Sequence, residues 1–336
     1  MNLESKPHDW GHLCQEITHR DSSLGSTHAL VVQHRGTVVH EWYAPGYDET
    51  STLISWSIAK SIVHALVGIA VQDSVLSLDD TGLRPEWEQD SRSRISLDHL
   101  LQMTSGLDWV EDYVDGAVSD VITMLFGESD FVGDHAGFAA SKSCVHDPGA
   151  QWLYSSGTTN IVAWVLARAL GAGANESSTI TDFMTRRLFA PLGMHSAVPK
   201  CDATGTFVGS SYVYATAKDF VRFGELYLRD GLAQGRRVLP QGWVDGAREV
   251  TTFDPEMGMS YGRHWWMWPT DPDSLIAHGY LGQILWVSPR RELVVAHLGN
   301  TDAAHGATLR SMVARLVEAF PHAATSIGHD GSDAEK

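Results

Sequence analysis

The chain has 336 residues, enough for one large domain or two smaller ones with ample core volume. Hydrophobic residues make up 43% and charged residues 19%, as in an ordinary globular protein, and Lys+Arg 24 against Asp+Glu 41 gives a formal charge of −17. We find no basic stripe of the kind that nucleic-acid binding needs, so no nucleic-acid partner is expected, and the acidic balance weakly disfavours anionic substrates.

The cysteines and the N-terminal segment predict a cytoplasmic protein. Cys14, Cys144 and Cys201 are odd in number and far apart, which fits free thiols in a reducing compartment and gives no metal-ligand spacing. The first ten residues, MNLESKPHDW, are polar and lack the apolar run of a signal peptide. Because no apolar stretch approaches the ~20 residues of a membrane span, we expect a soluble chain with no membrane partner.

The first predicted elements are a hairpin and a helix. Residues 28–46 contain two runs rich in β-branched and aromatic residues, ALVVQH and TVVHEWY, which are separated by a turn at Arg35-Gly36. In residues 57–74 the apolar residues recur at helical spacing. Ser57 lies near the start of this helix, where the backbone N–H groups are free.

Residues 80–205 are predicted to be mainly helical. Helical segments alternate there with loops rich in Asp and Gly: LDHLLQMTSGLDWVEDYVDG, TTNIVAWVLARALGAG and ITDFMTRRLFAPLGM. Pro191 and Gly193 end the last of these segments.

From residue 212, strand and helix signals mix again. AKDFVRFGELYLRDG is an amphipathic helix that Gly231 ends. Residues 282–300 are two strands around a turn at 289–291, and residues 308–320 form a closing helix.

This order of elements predicts an α+β protein in which both chain ends build one antiparallel sheet. We assign residues 1–80 and 206–325 to an α/β domain, residues 81–205 to a mainly helical domain, and residues 326–336 to a polar, disordered tail. No internal repeat at a fixed period is present.

Ser57 and Lys60 are the first candidate catalytic pair. They are three residues apart in the helix, so they share one face. A serine hydroxyl is a weak nucleophile until a base takes its proton, and a lysine in apolar surroundings has a lowered pKa that suits a base. The alternative is a lysine that reaches the surface from the edge of an amphipathic helix, since S-x-x-K occurs often by chance.

Two further segments supply candidate roles. Tyr154, in YSSGTTN, can relay a proton between Ser57 and a leaving group, especially if Lys60 lowers its pKa. In GYLGQ two glycines flank Tyr280-Leu281 at the start of a strand, where a backbone N–H can complete an oxyanion hole with the N–H of Ser57. The alternatives are a structural tyrosine in a tight loop and a β-bulge without a catalytic role.

Together these segments resemble the serine β-lactamase and penicillin-binding-protein superfamily. The resembling blocks follow the family's order over residues 28–315: LVVQHRGTVVHEWYAPG, SWSIAKSIV, LLQMTSGLDWVEDY, YSSGTTN, APLGM, YATAKDFVRFGELYLRDG and GYLGQ. The chain is most similar to the class C-like branch of esterases, D-aminopeptidases and 6-aminohexanoate-oligomer hydrolases.

The resemblance implies a β-lactamase-like α+β fold, with an antiparallel sheet flanked by helices, an all-α domain, and the active site between them. It also implies that Ser57 is the nucleophile, that Lys60 is its base partner, and that Tyr154 is the general acid/base.

The chain departs from the family pattern at two motifs. Ser156 stands where the family's Tyr-x-Asn motif has asparagine. The Lys-Thr-Gly of β-lactamases appears as residues 277–279, AHG, so the lysine that binds a penicillin carboxylate is missing, and His278 replaces it only when protonated. If Gly279 is the matched glycine, Tyr280 supplies the second N–H of the oxyanion hole. If the match is shifted by one residue, Leu281 supplies this N–H instead. An ester or amide without a required carboxylate fits better than a β-lactam.

The substrate contacts are predicted from the resemblance and from aromatic segments. A tyrosine after the SGLDW block contacts substrate in the 6-aminohexanoate hydrolase branch, and Tyr113 resembles it. In YGRHWWMWP, Trp265 and Trp266 fit the core as well as a pocket wall. The candidate substrate-binding residues are Tyr113, Ser156, His278, Gly279 and Trp266.

Other chemistries are not indicated by the sequence. It has no G-x-S-x-G elbow, no H-E-x-x-H pair and no Gly-rich nucleotide motif, so neither a metal nor another cofactor is expected. We predict a serine hydrolase that cleaves small esters or linear amides. The alternatives are an acyltransferase of the same fold and a non-catalytic binding protein, against which the joint presence of Ser57, Lys60 and Tyr154 argues. The choice between a monomer and a homodimer stays open.

Overall fold

A computed structural model describes residues 10–113, 119–127 and 129–323 of the chain. The helices are α1 (Trp10–Thr18), α2 (Ile58–Gln72), α3 (Leu97–Leu101), α4 (Asp120–Phe126), α5 (His135–Ala140), α6 (Ser156–Ala169), α7 (Ser178–Met184), α8 (Ala190–Leu192), α9 (Ala217–Leu228), α10 (Trp243–Gly246) and α11 (Ala303–Glu318). The strands are β1 (Ser26–His34), β2 (Thr37–Tyr43), β3 (Leu53–Ile54), β4 (Val198–Pro199), β5 (Val213–Ala215), β6 (Leu232–Ala233), β7 (Arg236–Arg237), β8 (Thr252–Asp254), β9 (Met259–Tyr261), β10 (Trp266–Trp268), β11 (Asp271–Gly279), β12 (Gln283–Ser288) and β13 (Leu293–Asn300). The predicted disordered tail, residues 326–336, lies outside the described residues.

An eight-stranded antiparallel sheet organises this part of the chain. Its strand order is β2-β1-β13-β12-β11-β10-β9-β8, and each neighbouring pair is antiparallel. β1 and β13 lie side by side although they are far apart in sequence, with Ser26 paired to Asn300 and His34 to Leu293. The prediction that both chain ends build one antiparallel sheet is confirmed.

Two hairpins form where the sequence predicts them. β1 and β2 are joined by Arg35 and Gly36, which both have positive φ, 53° and 77°. Two consecutive left-handed residues match the right-handed twist of the strands that they connect. β12 and β13 are joined by a short 3₁₀ turn, Pro289–Arg291, at the predicted place.

Helices cover both faces of the sheet. Along β13, Leu293 and Val295 pack in the cluster that includes α1 and α11, whereas Val294 and Ala296 pack in the cluster that includes α2 and α9. Side chains of a strand alternate between faces, so a strand that is covered on both faces is apolar throughout. This explains the unbroken apolar run at the start of LVVAHLGN.

Helix α2 is buried along almost its whole length. Each residue from Ile58 to Ala70 is buried, and Lys60 is only 2% exposed. The helix lies between the sheet and α6 and therefore has no surface edge from which a lysine could reach solvent. The interpretation of Lys60 as a surface-reaching lysine is wrong.

Several predicted boundaries are also wrong. Helix α11 begins at Ala303, five residues before the predicted start, because the Asp302 side chain accepts a hydrogen bond from the His305 N–H (3.0 Å) and caps the helix. In the described part of LDHLLQMTSGLDWVEDYVDG, residues 97–113, only Leu97–Leu101 is helical. Helix α1 and strands β8–β11 lacked a strong enough pattern to be predicted.

The three cysteines are unpaired, and Cys14 is buried. Among the described residues, no helix is both long enough and apolar enough to cross a membrane.

Candidate active site

Ser57 lies in a tight turn between β3 and α2. Ser55 fixes this turn, since its N–H donates to Val213 O (2.8 Å) and its Oγ donates to Ser211 O (2.9 Å). Trp56 has a φ of 42°, a conformation that a bulky residue adopts only when its surroundings impose it. The next residue, Ser57, occupies the N-cap position of α2 without a side-chain capping hydrogen bond. Within the described part of the chain, its N–H has no hydrogen-bond acceptor. The turn thus presents both the hydroxyl and a free N–H of Ser57.

The Lys60 side chain lies directly behind the serine. Its Nζ donates to Ser57 Oγ (2.9 Å), Ser156 Oγ (3.0 Å) and Ser210 O (3.1 Å), so its three donor positions are all satisfied. Burial lowers the pKa of Lys60 to about 8, although the nearby Glu111 carboxylate opposes this effect. Lys60 is therefore partly neutral near physiological pH and can accept a proton from Ser57.

Tyr154 stands beside both residues. The Lys60 Nζ lies 4.9 Å from the centroid of its ring, and the ring stacks on Trp266 at 5.8 Å. Burial, with the charge of Glu111, raises the pKa of Tyr154 above its usual range, and the Ser57 side chain lowers it only in part. Lys60 is not among the groups that shift this pKa, so the condition under which the relay was predicted to work best is not met. Tyr154 stays protonated and is placed to donate its proton.

Glu111 is one of the residues of this site that the sequence analysis missed. Its Oε2 accepts from Trp109 Nε1 (2.6 Å) and Ser156 N (2.8 Å), and its Oε1 accepts from Ser156 Oγ (2.5 Å) and Tyr113 OH (2.9 Å). The signal was present in WVEDY, since residues at i, i+2 and i+4 of an extended segment point to the same side.

Ser156 and Gly279, two of the predicted substrate-binding residues, are not among the residues that line the cavity in front of Ser57. Ser156 is fully buried, and its hydroxyl bridges Lys60 and Glu111. Gly279 packs against the serine turn: a Cβ added there would lie 2.5 Å from Ser55 O and 3.2 Å from Ser57 N. Gly279 is needed for this close approach, and it leaves Tyr280 next to Ser57.

The cavity has a volume of about 810 Å³ and is open to solvent. The predicted site residues that line it are Ser57, Tyr113, Tyr154, Trp266, His278 and Tyr280. Tyr113 stacks on Tyr280 at 4.8 Å, and the Tyr280 ring contacts Trp56 edge-on at 5.5 Å. Trp265, by contrast, is fully buried and packs on Tyr227 in the core.

The charges of the cavity differ from those that the sequence suggests. Burial lowers the pKa of His278 to about 3, and the charge of Arg310 adds to this effect, so His278 is neutral near pH 7 and does not replace the missing lysine. Arg310, on α11, lines the cavity itself, half-buried and with no carboxylate within ion-pair distance among the described residues. The acidic residues that line the same cavity are Glu111, Asp112, Asp254, Glu256 and Asp302.

Known proteins are similar to this chain in sequence. The model of the β-lactamase family matches residues 24–319. A 6-aminohexanoate-dimer hydrolase from Paenarthrobacter ureafaciens is 28% identical over 292 residues, which cover 82% of this chain and 72% of the relative.

Two solved structures share the fold. A protein described as a 6-aminohexanoate-dimer hydrolase from Bacillus anthracis superposes with a TM-score of 0.76 at 22% identity, covering 88% of this chain and 80% of its own. A family VIII carboxylesterase superposes with a TM-score of 0.69 at 12% identity, covering 95% of this chain and 99% of its own. The β-lactamase-like α+β fold that the sequence predicts is confirmed.

Proposed function

The chain belongs to the β-lactamase family, and from this premise we propose that it is a serine hydrolase that cleaves small esters or linear amides through an acyl-Ser57 intermediate. The observation that carries the proposal is the 2.9 Å hydrogen bond between the buried Lys60 Nζ and the Oγ of Ser57, which lines an open cavity. A buried lysine with a pKa of about 8 is a base that works near neutral pH.

Acylation follows from these positions. Ser57 Oγ attacks the carbonyl carbon, and its proton passes to the neutral Lys60 Nζ. The carbonyl oxygen becomes an oxyanion, which the N–H groups of Ser57 and Tyr280 stabilise. The bond to the leaving group then breaks, Tyr154 OH gives its proton to the departing alcohol or amine, and the proton held by Lys60 replaces it.

Deacylation runs through the same groups. Water attacks the acyl carbon and gives its proton to Lys60, and the bond between the carbonyl carbon and Ser57 Oγ breaks. Lys60 gives this proton to Ser57 Oγ as the bond breaks, and a carboxylic acid leaves. No residue changes its covalent state over the full cycle.

The substrate class is proposed from the cavity and from the relatives. Stacked aromatic rings of Tyr113 and Tyr280 form an apolar wall, while Arg310 and five carboxylates supply both signs of charge. The 28% identical relative, a hydrolase of a linear amide dimer by its name, supports linear amides as substrates.

The three unpaired cysteines support the proposed cytoplasmic location.

Kinetics on matched esters and amides test the proposal. We expect Ser57→Ala to lose activity on both classes by about 10³-fold or more. Tyr154→Phe is expected to slow amide cleavage by about 10²-fold or more, because an amine must be protonated to leave. It should slow p-nitrophenyl ester cleavage much less, because p-nitrophenolate leaves without a proton.

Full activity of Ser57→Ala would contradict the proposal, and an equal loss on both substrates would contradict the role of Tyr154. The panel should pair neutral, carboxylate-bearing and amine-bearing substrates. Added alcohols as acceptors separate hydrolysis from acyl transfer, since ester exchange in place of acid release would identify an acyltransferase.

A further inference from the structure

The Glu111 carboxylate is linked by hydrogen bonds to Ser57 and Lys60, the proposed catalytic pair. It accepts four hydrogen bonds, from the Trp109 indole, the Tyr113 hydroxyl, and both the N–H and the hydroxyl of Ser156. Four donors fix the orientation of a carboxylate and use both of its oxygens as acceptors.

A continuous hydrogen-bond chain joins Glu111 to the nucleophile. Ser156 Oγ donates to Glu111 Oε1 (2.5 Å) and accepts from Lys60 Nζ (3.0 Å), which donates in turn to Ser57 Oγ (2.9 Å). One bridging hydroxyl therefore separates the carboxylate from the ammonium. Because the site is buried and only one hydroxyl lies between them, the Glu111 carboxylate and the Lys60 ammonium stabilise each other.

The bridge uses the residue by which the chain departs from its family. Ser156 stands where an asparagine is expected, and a serine hydroxyl is short enough to leave room for a carboxylate behind it. Gly157 allows the Trp109 ring to approach the backbone closely, since a Cβ at this position would lie 2.5 Å from the ring. Trp109 therefore packs directly on the start of α6 and donates to Glu111 from there.

We propose that Glu111 is a positioning residue that, through Ser156, sets the charge of Lys60. Without it, burial alone would determine the protonation of the lysine and make it a weaker base. With it, the ammonium that forms when Ser57 gives up its proton has a carboxylate partner one hydroxyl away. This inference rests on the proposed function, because it concerns the base of the same reaction.

The other titratable groups that face Lys60 carry no charge across the working pH range. His264 lies with Nδ1 3.0 Å from the Lys60 carbonyl oxygen, and burial lowers its pKa to about 3. Burial raises the pKa values of Tyr154 and Tyr113, and His278, across the cavity, is neutral. Glu111 is the described residue whose charge raises the pKa of Lys60.

The test is the pH dependence of acylation by p-nitrophenyl acetate. Activity rises as Lys60 loses its proton, and the midpoint of this rise reports the pKa of Lys60. Removing a nearby opposite charge should move the midpoint toward acid by about one pH unit or more. We expect this shift in Glu111→Gln, and a shift in the same direction in Ser156→Ala, which breaks the bridge.

Two controls isolate the charge. Glu111→Asp keeps the carboxylate and should retain most of the wild-type midpoint. Glu88→Gln makes the same chemical change at an exposed position and should leave the profile unchanged. Because Glu111→Gln could fail to fold, its thermal unfolding is compared with that of Glu111→Asp, and Ser156→Ala provides an independent break in the chain.

The outcomes separate this inference from the proposed function. Acylation of the wild-type serine together with an unshifted midpoint in folded Glu111→Gln and Ser156→Ala would overturn the role of Glu111 and leave the acyl-serine mechanism standing. Absence of any acyl-serine in the wild type would overturn the proposed function itself.

Discussion

Lys60 is the residue at which stability and proposed function oppose each other. It is 2% exposed in a helix that is buried along almost its whole length, and burial lowers its pKa from 10.5 to about 8. That fall corresponds to about 3 kcal/mol by which the folded state disfavours the charged lysine. The same fall makes the amine a usable base, so the molecule keeps a costly residue at the position where its chemistry requires it.

Lys60→Met should reveal this cost as a pH-dependent difference in stability. Below pH 8 Lys60 is protonated in both the folded and the unfolded chain, so the difference in free energy of unfolding between wild type and variant is constant. Between pH 8 and 10.5 only the unfolded chain keeps the proton. The wild type should therefore gain up to about 3 kcal/mol relative to Lys60→Met over this range.

Chemical denaturation of both proteins at several pH values measures this difference. A difference that stays constant from pH 7 to pH 11 would show that Lys60 titrates as an exposed lysine does. That result would remove the physical basis for its role as a base near neutral pH.

At the scale of elements, the site depends on how closely β11 approaches the start of α2. Gly279 ends β11, and its Cα hydrogens face Ser55 O and Ser57 N. The approach sets the distance between the N–H of Ser57 and that of Tyr280, the two proposed oxyanion donors. Since an oxyanion hole works through preorganised donors, a small separation of the two elements should affect catalysis more than binding.

Gly279→Ala should separate these elements. The new Cβ would meet the backbone oxygen of Ser55 at 2.5 Å, which requires the backbone to move. We expect kcat to fall by about 10²-fold or more, with a smaller change in KM, because one oxyanion donor is displaced.

Gly173→Ala is the matched control. Its Cβ would meet only the Glu176 side chain, at 3.4 Å, which is ordinary contact distance. Wild-type kcat in Gly279→Ala would show that the contact between β11 and α2 does not set the oxyanion geometry.

For the molecule as a whole, the predictable elements were those whose residue pattern has a single physical cause. The β1–β2 hairpin followed from its turn residues, and α9 from its amphipathic spacing. That both chain ends build one antiparallel sheet followed from the order of elements, whereas the pairing of β1 with β13 comes from the structure. Helix α2 also followed from its spacing, but its complete burial did not, because burial depends on what the rest of the chain places around it.

The candidate site was predictable only where one motif carries one role. The structure brings Ser57, Lys60 and Tyr154 together, as the resemblance implies, and the roles assigned to them remain proposals. Glu111 and Arg310 were missed because their importance arises from contacts between segments distant in sequence. The pKa values of Tyr154 and His278 were left open by the sequence, because burial has the largest effect on both and depends on the folded structure.

The central claim is that Ser57 forms a covalent acyl-enzyme at the edge of this cavity. Its most direct test is intact-protein mass spectrometry after brief mixing with p-nitrophenyl acetate, with peptide mapping of the product and Ser57→Ala as the control. We expect a mass gain of one acetyl group on the wild type, located at Ser57, together with a burst of nitrophenol, and no gain on the variant. An acetyl group on another residue, or equal labelling and turnover by Ser57→Ala, would contradict it.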